Sequence, residues 1–337
     1  MEKNNIVPES YNRLDYIDIL KGIAILLVVM GHVVAMCYED FFQKLTYSPY
    51  IATLFWRFIY SFHMPLFMFV SGFVAFSPQK KYSIVDISKR IMQYLIPFFI
   101  VGTLFYYYRD GRDICNYWYL RTLAIFVIGM YVVESISHRW RRDIHFIQFA
   151  IFCLIFYFLC HGIKTGSIID VFFDKEHLSL YIYFALGWLI RRYSLLFSAC
   201  NSGWAFLTAF IVFFVCITFQ FTIHYLTALS GIIVFLKIST LLEESFIKRQ
   251  LKKIGKYTLG IYLFHFFMLY HAYFMGEYFS QIKDVPSAFF LPMVYSGIVG
   301  VFLTYLSIGI TKIVKQIPIV SLLFLGCINQ NIKSLLR

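Results

Sequence analysis

The chain has 337 residues, of which 60% are hydrophobic and 14% are charged, and its formal net charge is +12. With a mean hydropathy of +0.70, this composition is too apolar for an ordinary soluble protein and indicates an integral membrane protein. The basic residues are concentrated in alternate loops, as the topology of a membrane protein explains. The basic run IKRQLKKIGK at 247–256 therefore needs no nucleic acid to account for it, and we expect no nucleic-acid partner.

Apolar runs that are long enough to form membrane helices recur along the chain and predict about ten spans. In chain order they lie near 19–37, 52–76, 91–108, 119–133, 144–160, 178–190, 204–221, 223–242, 257–275 and 288–310. An outer-membrane barrel would instead show segments of about ten residues with alternating polarity. We therefore predict an all-α fold, a polytopic membrane helical bundle.

The basic residues of the loops orient these helices. Twenty Lys and Arg lie in the terminal segments and in alternate loops, whereas the opposite loops hold six. Cytoplasmic loops carry the excess of Lys and Arg, so both termini are predicted to be cytoplasmic, which requires an even number of spans. We expect one integral membrane domain over 1–337, with a cytoplasmic segment at 1–18, a bundle over 19–314 and a cytoplasmic tail at 315–337.

The first predicted span carries three ionisable residues, Asp18, Lys21 and His32, although such groups are costly at membrane depth. At about 100° per residue, Lys21 and His32 lie within roughly 20° of each other, and Asp18 is about 40° from His32. His32 lies about 16 Å beyond Lys21 along the helix axis. This polar stripe is expected to face an internal cavity, because lipid would penalise each member.

Other spans also carry polar residues, namely Arg57, Arg121, Lys237, His63 and His265. Each has a purely structural alternative, since a long basic side chain near a helix end can reach the interface and a buried His can hydrogen-bond a neighbouring helix.

The stretch FHMPLFMFVSGF, residues 62–73, places His63 inside its helix. Pro65 is expected to loosen the backbone, and the small pair Ser71–Gly72 is expected to allow a neighbouring helix to approach closely. A packing and kink motif is the structural alternative to a catalytic role for His63.

Five stretches, in this order, resemble the membrane acyltransferase family known as acyltransferase 3, and the resemblance covers nearly the whole chain. They are RLDYIDILKGIAILLVVMGH, FHMPLFMFVSGF, YWYLRTLAIF, FALGWLI and IGKYTLGIYLFH. The most specific is Asp-x-x-Lys/Arg-Gly followed by a His near the end of the same helix, and the next is Gly-x-Tyr-x-x-Gly-x-Tyr-x-x-His.

The resemblance implies O-acylation, usually O-acetylation, of sugars in cell-envelope polysaccharides, with acyl-CoA presented from the cytoplasm as donor. It implies acetyl-CoA as co-substrate, a glycan acceptor and a location in the cell inner (plasma) membrane bilayer. A homo-oligomer is compatible with the sequence. The acceptor sugar and the acylated position are left open.

The resemblance also carries over to particular residues. His32 matches the essential histidine of the family, and Asp18, Lys21 and Arg90 match its charged positions around the donor side. Where the family often has a second Arg three residues after Arg90, this chain has Gln93, which leaves the donor-phosphate contacts open.

The expected chemistry assigns further roles. Acetyl transfer from a thioester to a sugar hydroxyl needs a base, and the imidazole of His32 suits that role. Arg57 or Arg121 is expected to stabilise the tetrahedral oxyanion. Asp18 and His63 are further catalytic candidates, and Lys89 is a replacement charge for the donor phosphates. A covalent acetyl-enzyme intermediate stays open.

Three other classes of function are weaker. A purely structural membrane subunit would not need Asp18, Lys21 and His32 on one face of a helix. A secondary transporter of a small polar or glycan-related solute is the main alternative, but the polar motifs show no inverted repeat between the halves. A metalloenzyme is disfavoured, since the nine His include no His-x-x-x-His or Glu-x-x-His pair. We therefore predict no metal site.

Overall fold

The computed structural model describes residues 15–44, 49–75, 77, 82–108, 117–140, 145–162, 175–219, 224–269 and 285–326. The regular structure of these residues is helical and contains no strand, so the all-α prediction is confirmed for them. The helices are α1 (Asp15–Lys44), α2 (Pro49–Ala75), α3 (Ile84–Tyr108), α4 (Trp118–Trp140), α5 (His145–Gly162), α6 (Lys175–Leu178), α7 (Tyr181–Arg192), α8 (Ser194–Cys200), α9 (Gly203–Phe219), α10 (His224–Leu241), α11 (Phe246–Gly255), α12 (Thr258–Leu269), α13 (Val285–Gln316) and α14 (Pro318–Leu325).

Six segments within the described helices are long and apolar enough to cross a membrane, which makes the chain a multi-pass membrane protein. They are Asp15–Ala35, Phe55–Ala75, Ile84–Tyr108, Trp118–Ile136, His224–Leu241 and Met293–Gln316. Helices α8 and α9, bent by 56° at the break between them, give a seventh if they form one broken span. Each of the ten predicted spans overlaps a described helix. The count of ten stays a prediction, as do the cytoplasmic termini, which lie outside the described residues.

The chain divides into two compact units. The first comprises Met1–Phe67 and Ser194–Lys312, and the second comprises Met68–Tyr193 and Ile313–Arg337. The unit boundaries therefore lie within α2, between α7 and α8, and near the end of α13. The expectation of one domain over 1–337 stays a prediction.

In the first unit, α1 packs closely against the short basic helix α11. A Cβ added to Gly22 would overlap the backbone carbonyl of Leu251, and one added to Gly255 would overlap the carbonyl of Asp18. The absence of a side chain at these two positions lets the two backbones approach. The side chain of Ser245 caps α11 by accepting the backbone N–H of Lys248, which begins the helix at a defined residue.

In the second unit, α2 packs against α7 where the sequence predicts a close approach. A Cβ added to Gly72 would overlap the carbonyl of Phe184, so the predicted role of the Ser71–Gly72 pair is confirmed. The hydroxyls of Ser71 and Tyr119 are hydrogen-bonded, which joins α2 to α4. Pro65 lies inside α2 without ending it.

Candidate functional site

Two imidazoles from distant parts of the sequence meet inside the first unit. Nδ1 of His32 on α1 lies 2.9 Å from Nε2 of His265 on α12. The rings are nearly parallel, at an interplanar angle of 7°. His265 is fully buried, with 0% exposure, whereas His32 is half-buried. Of the two imidazoles, His32 is therefore the one with exposed surface.

The hydrogen bonds of this pair define which nitrogen of His32 carries a lone pair. Nδ1 of His265 lies 2.8 Å from the carbonyl oxygen of Ile261, and a carbonyl only accepts, so this Nδ1 carries the hydrogen. A neutral imidazole has one N–H, so Nε2 of His265 accepts, and Nδ1–H of His32 donates to it. A neutral His32 then keeps its lone pair at Nε2, the arrangement that a general base needs.

An aromatic ring borders the histidine pair. The ring centroid of Phe266 lies 4.6 Å from that of His32 and 4.2 Å from that of His265. This apolar contact limits the rotation of both imidazoles and helps to hold their hydrogen bond in one geometry.

The structure places His63 close to the same part of α1. Tyr60 donates its hydroxyl to the carbonyl of Gly31, the residue before His32, over 3.2 Å. The ring of Tyr60 also packs edge-on against His63, with centroids 4.8 Å apart. His63 donates Nδ1–H to the carbonyl of Ile59 over 2.8 Å, so its neutral ring also carries the lone pair at Nε2. Arg57 is half-buried one turn before Tyr60 on α2.

The acid and base at the start of α1 pair with each other. Nζ of Lys21 lies 3.7 Å from Oδ1 of Asp18, and Asp18 is buried, with 1% exposure. Asp18 and His32 are fourteen residues apart, which is about 21 Å along a helix. The ion pair therefore lies at the contact of α1 with α11, far from the imidazoles along the same helix.

The remaining predicted site residues belong to the second unit. Arg90 donates to the carbonyl of Ala75 at the end of α2, and its guanidinium carbon lies 5.9 Å from the ring centre of Tyr82. Burial raises the pKa of the Tyr82 hydroxyl. Lys89 is exposed, and Arg121 is half-buried in the first turn of α4. The contact with Ala75 gives Arg90 a structural role, since it caps a carbonyl at a helix end.

Lys237, the fourth basic residue that the sequence places within a span, has a structural contact. Its Nζ donates to the carbonyl oxygen of Asn201 over 2.8 Å. This bond joins α10 to the turn between α8 and α9, which supports the structural alternative for Lys237.

A cluster of basic side chains surrounds a cavity in the first unit. This cavity of about 310 Å³ is lined by Arg249, Lys252, Lys253, Lys256, Tyr257 and Lys312. Five of these residues fall in or next to the run IKRQLKKIGK, but Lys312 is distant in sequence, so only the fold brings it to the cavity. We refer to this feature as the basic cavity.

The described residues contain no group of three or more His, Cys, Asp or Glu that could hold a metal ion. The candidate site within them is thus built from imidazoles, basic side chains and aromatic rings.

The apolar helices define a multi-pass membrane protein, in which a pair of histidines, one of them fully buried, is hydrogen-bonded between α1 and α12. A family model described as an acyltransferase domain matches residues 14–312. The chain therefore belongs to the acyltransferase 3 family, as its motifs predict.

Two curated relatives share part of this sequence, and both are called Nodulation protein NolL. The protein from Sinorhizobium fredii (strain NBRC 101917 / NGR234) is 35% identical over 98 residues, which is 29% of this chain and 25% of the relative. The protein from Mesorhizobium japonicum (strain LMG 29417 / CECT 9101 / MAFF 303099) is 28% identical over 203 residues, 55% of this chain and 50% of the relative. The chain thus spans half or less of the length of these relatives. No solved structure matches it.

Proposed function

We propose that the protein is a membrane O-acyltransferase that transfers an acetyl group from cytoplasmic acetyl-CoA to a sugar hydroxyl of a cell-envelope polysaccharide or lipid-linked glycan. Membership of the acyltransferase 3 family supports the reaction class. The main support for the mechanism is the hydrogen bond between His32 and His265. This bond leaves the lone pair on Nε2 of His32 free to act as a base, next to the apolar ring of Phe266. A cytoplasmic donor and an envelope acceptor favour the inner (plasma) membrane as its location.

In the proposed reaction, Nε2 of His32 takes the proton of the sugar hydroxyl while the sugar oxygen attacks the thioester carbonyl. The new C–O bond gives a tetrahedral intermediate with a negative oxygen. This intermediate then collapses, the C–S bond breaks, and the departing thiolate receives the proton from the imidazolium of His32. The products are the sugar ester and free CoA, and the imidazole returns to its neutral form.

The neighbouring groups have supporting roles in this proposal. His265 acts as a positioning residue, since its Nε2 accepts Nδ1–H of His32 before and after proton uptake and fixes the ring orientation. Arg57 and Arg121 stay candidates for stabilising the oxyanion, and His63 stays a second candidate base.

The donor side involves a different set of charges. Lys21, Lys89 and Arg90 are the sequence-predicted groups for the phosphates of the donor. Asp18 pairs with Lys21, so its proposed role is to orient that ammonium rather than to react.

The proposal is tested by replacing His32 with Asn and measuring transfer of labelled acetyl groups from acetyl-CoA to glycan by the purified protein. We expect transfer per folded molecule to fall by roughly 10²–10⁴-fold, the usual contribution of a positioned base. The amount of monodisperse protein should be unchanged, since Asn is, like the imidazole it replaces, an uncharged polar side chain. His224→Asn is the matched control, because it makes the same change at an exposed imidazole at the start of α10. Near-normal transfer by the His32 variant would remove His32 from the mechanism.

A further inference from the structure

The basic cavity concentrates positive charge that neither the packing of the helices nor the histidine pair requires. One arginine and four lysines line it together with Tyr257, and no acidic side chain is among its lining residues within the described part of the chain. Cationic groups that surround one cavity repel each other, so a bound polyanion would offset that repulsion.

Nearby carboxylates compensate only part of this charge. Lys252 pairs with Asp15, with Nζ 2.5 Å from Oδ2, which offsets one of the five cationic groups. Glu244 pairs instead with Lys248, at 2.8 Å, and Lys248 does not line the cavity. Lys253 lies over the ring of Tyr305, with Nζ 5.3 Å from its centre.

The composition of the lining suits a phosphate ester. A guanidinium can bind phosphate oxygens in a bidentate manner, and ammonium groups act as point charges around them. Several cations around about 310 Å³ suit a ligand with more than one phosphate. Tyr257 adds an aromatic ring on which a nucleotide base can stack.

The position of the cavity relative to α1 favours a ligand that is long. The two glycine contacts hold α11 against the start of α1, and His32 lies about 21 Å further along α1 than Asp18, at 1.5 Å per residue. In acyl-CoA, a long pantetheine arm separates the nucleotide phosphates from the thioester. The loop at 243–256 is predicted to be cytoplasmic, which is the side where this donor is found.

We propose that the basic cavity binds the nucleotide phosphates of the acyl-CoA donor, an inference that rests on the proposed function. It makes Arg249, Lys256 and Lys312 candidate donor-binding groups within the first unit. The headgroup of an anionic phospholipid has the same phosphate-ester chemistry. The experiment therefore tests CoA in a first arm and an anionic phospholipid in a second.

The first arm measures CoA affinity of the full chain in nanodiscs of phosphatidylcholine, which has no net charge. Lys256→Gln and Lys312→Gln are combined, because both side chains are exposed and have no role in the packing of the helices. We expect CoA to bind about tenfold or more weakly, as lost charged contacts to phosphate would cause. Wild-type protein should also prefer CoA to 3′-dephospho-CoA, and the variant should lose part of that preference.

A matched control separates a specific site from general basicity. Lys248→Gln removes one positive charge from α11 outside the cavity, as Lys256→Gln alone removes one inside it, and only the Lys256 variant should weaken CoA binding. If the double variant binds CoA as wild type does, or if Lys248→Gln weakens binding equally, the cavity is not the phosphate site.

The second arm measures retention of phosphatidylglycerol by native mass spectrometry. Loss of lipid retention in the double variant with unchanged CoA affinity would overturn the donor assignment in favour of a lipid headgroup.

The proposed function and the proposed phosphate site fail in different ways. Wild-type protein that transfers acetyl groups, with variants that bind CoA normally, refutes the cavity alone. Wild-type protein that neither binds CoA nor transfers acetyl groups refutes both.

Discussion

Gly255 lies so close to the backbone carbonyl of Asp18 that a side-chain carbon on Gly255 would overlap it. Gly22 has the same relationship to the carbonyl of Leu251, so each of the two helices contributes one glycine to the contact. This contact fixes the basic helix α11 against α1, the helix that carries His32. The proposed donor site and the proposed base are therefore joined through one packed helix pair.

The closeness of this contact makes Gly255→Ala a sharp test of the packing. We expect a loss of about 1–3 kcal/mol in stability, because the added carbon has backbone rather than a flexible side chain to displace. Gly309→Ala is the matched control, since a Cβ there meets nothing within 4 Å and a helical Ala is better than Gly by up to about 1 kcal/mol. Thermal unfolding of both purified variants measures the difference, and equal melting temperatures would contradict the contact.

The ion pair between Asp15 and Lys252 strengthens the same helix contact only slightly. The hydrogen bond to Asp15 raises the pKa of the Lys252 ammonium. A raised lysine pKa stabilises the fold below the unfolded value of about 10.4, and this stabilisation is lost as the pH rises through the folded pKa.

Because the pair is partly exposed, a double-mutant cycle of Asp15→Asn and Lys252→Gln should give a coupling of at most about 1 kcal/mol near neutral pH. The coupling should shrink in about 1 M salt, where the Debye length is only a few ångströms. Thermal unfolding at low and high salt provides the measurement. A coupling that is absent at low salt, or one that salt does not reduce, would show that the pair does not contribute in this way.

The membrane helices could be predicted from the sequence because an apolar run is a local property. Every predicted span overlaps a described helix, and the close approach at Gly72 follows from the lack of side-chain bulk there. The bend was less predictable. Helices α8 and α9 meet at an angle of 56°, and hydropathy reports which residues are apolar but not the direction that a helix takes.

The candidate site was predictable only in part. The stripe on α1 singles out His32, but its partner His265 is 233 positions away, and helix periodicity carries no information over such a distance. The one local signal was the final His of the motif Gly-x-Tyr-x-x-Gly-x-Tyr-x-x-His. The basic cavity was not predicted, because membrane topology alone explains an excess of lysines in a cytoplasmic loop. In addition, Lys312 is distant in sequence from the other lining residues, and only the fold brings it to them.

Arg90 combines a structural contact with a predicted donor role, so its replacement has two expected effects. Arg90→Gln removes the bond to the carbonyl of Ala75 and should lower stability by about 0.5–1.5 kcal/mol. It should also raise the KM for acetyl-CoA more than it lowers kcat, as loss of a phosphate contact would. Thermal unfolding and steady-state kinetics separate the two effects. Reduced stability with an unchanged KM would leave Arg90 as a helix cap and would refute its donor role.

The position of His265 behind His32 gives the most direct test of the proposed mechanism. Nε2 of His265 accepts the hydrogen bond that orients His32, and the residue itself is fully buried. It cannot serve as the base in this arrangement, because both of its nitrogens are occupied by hydrogen bonds, one to His32 and one to Ile261. Its contribution should therefore depend on whether the replacement still offers an acceptor to Nδ1–H of His32.

His265→Leu removes that acceptor and should lower kcat by about 5- to 150-fold, which corresponds to roughly 1–3 kcal/mol for a buried donor left without its partner. The KM for acetyl-CoA should change little. His265→Gln should recover much of the lost rate, since its side-chain oxygen can accept the same hydrogen. Steady-state kinetics, corrected for the folded fraction of each variant, provide the measurement. If Leu and Gln variants lose activity equally, and only in proportion to folded protein, His265 stabilises the helices without positioning His32.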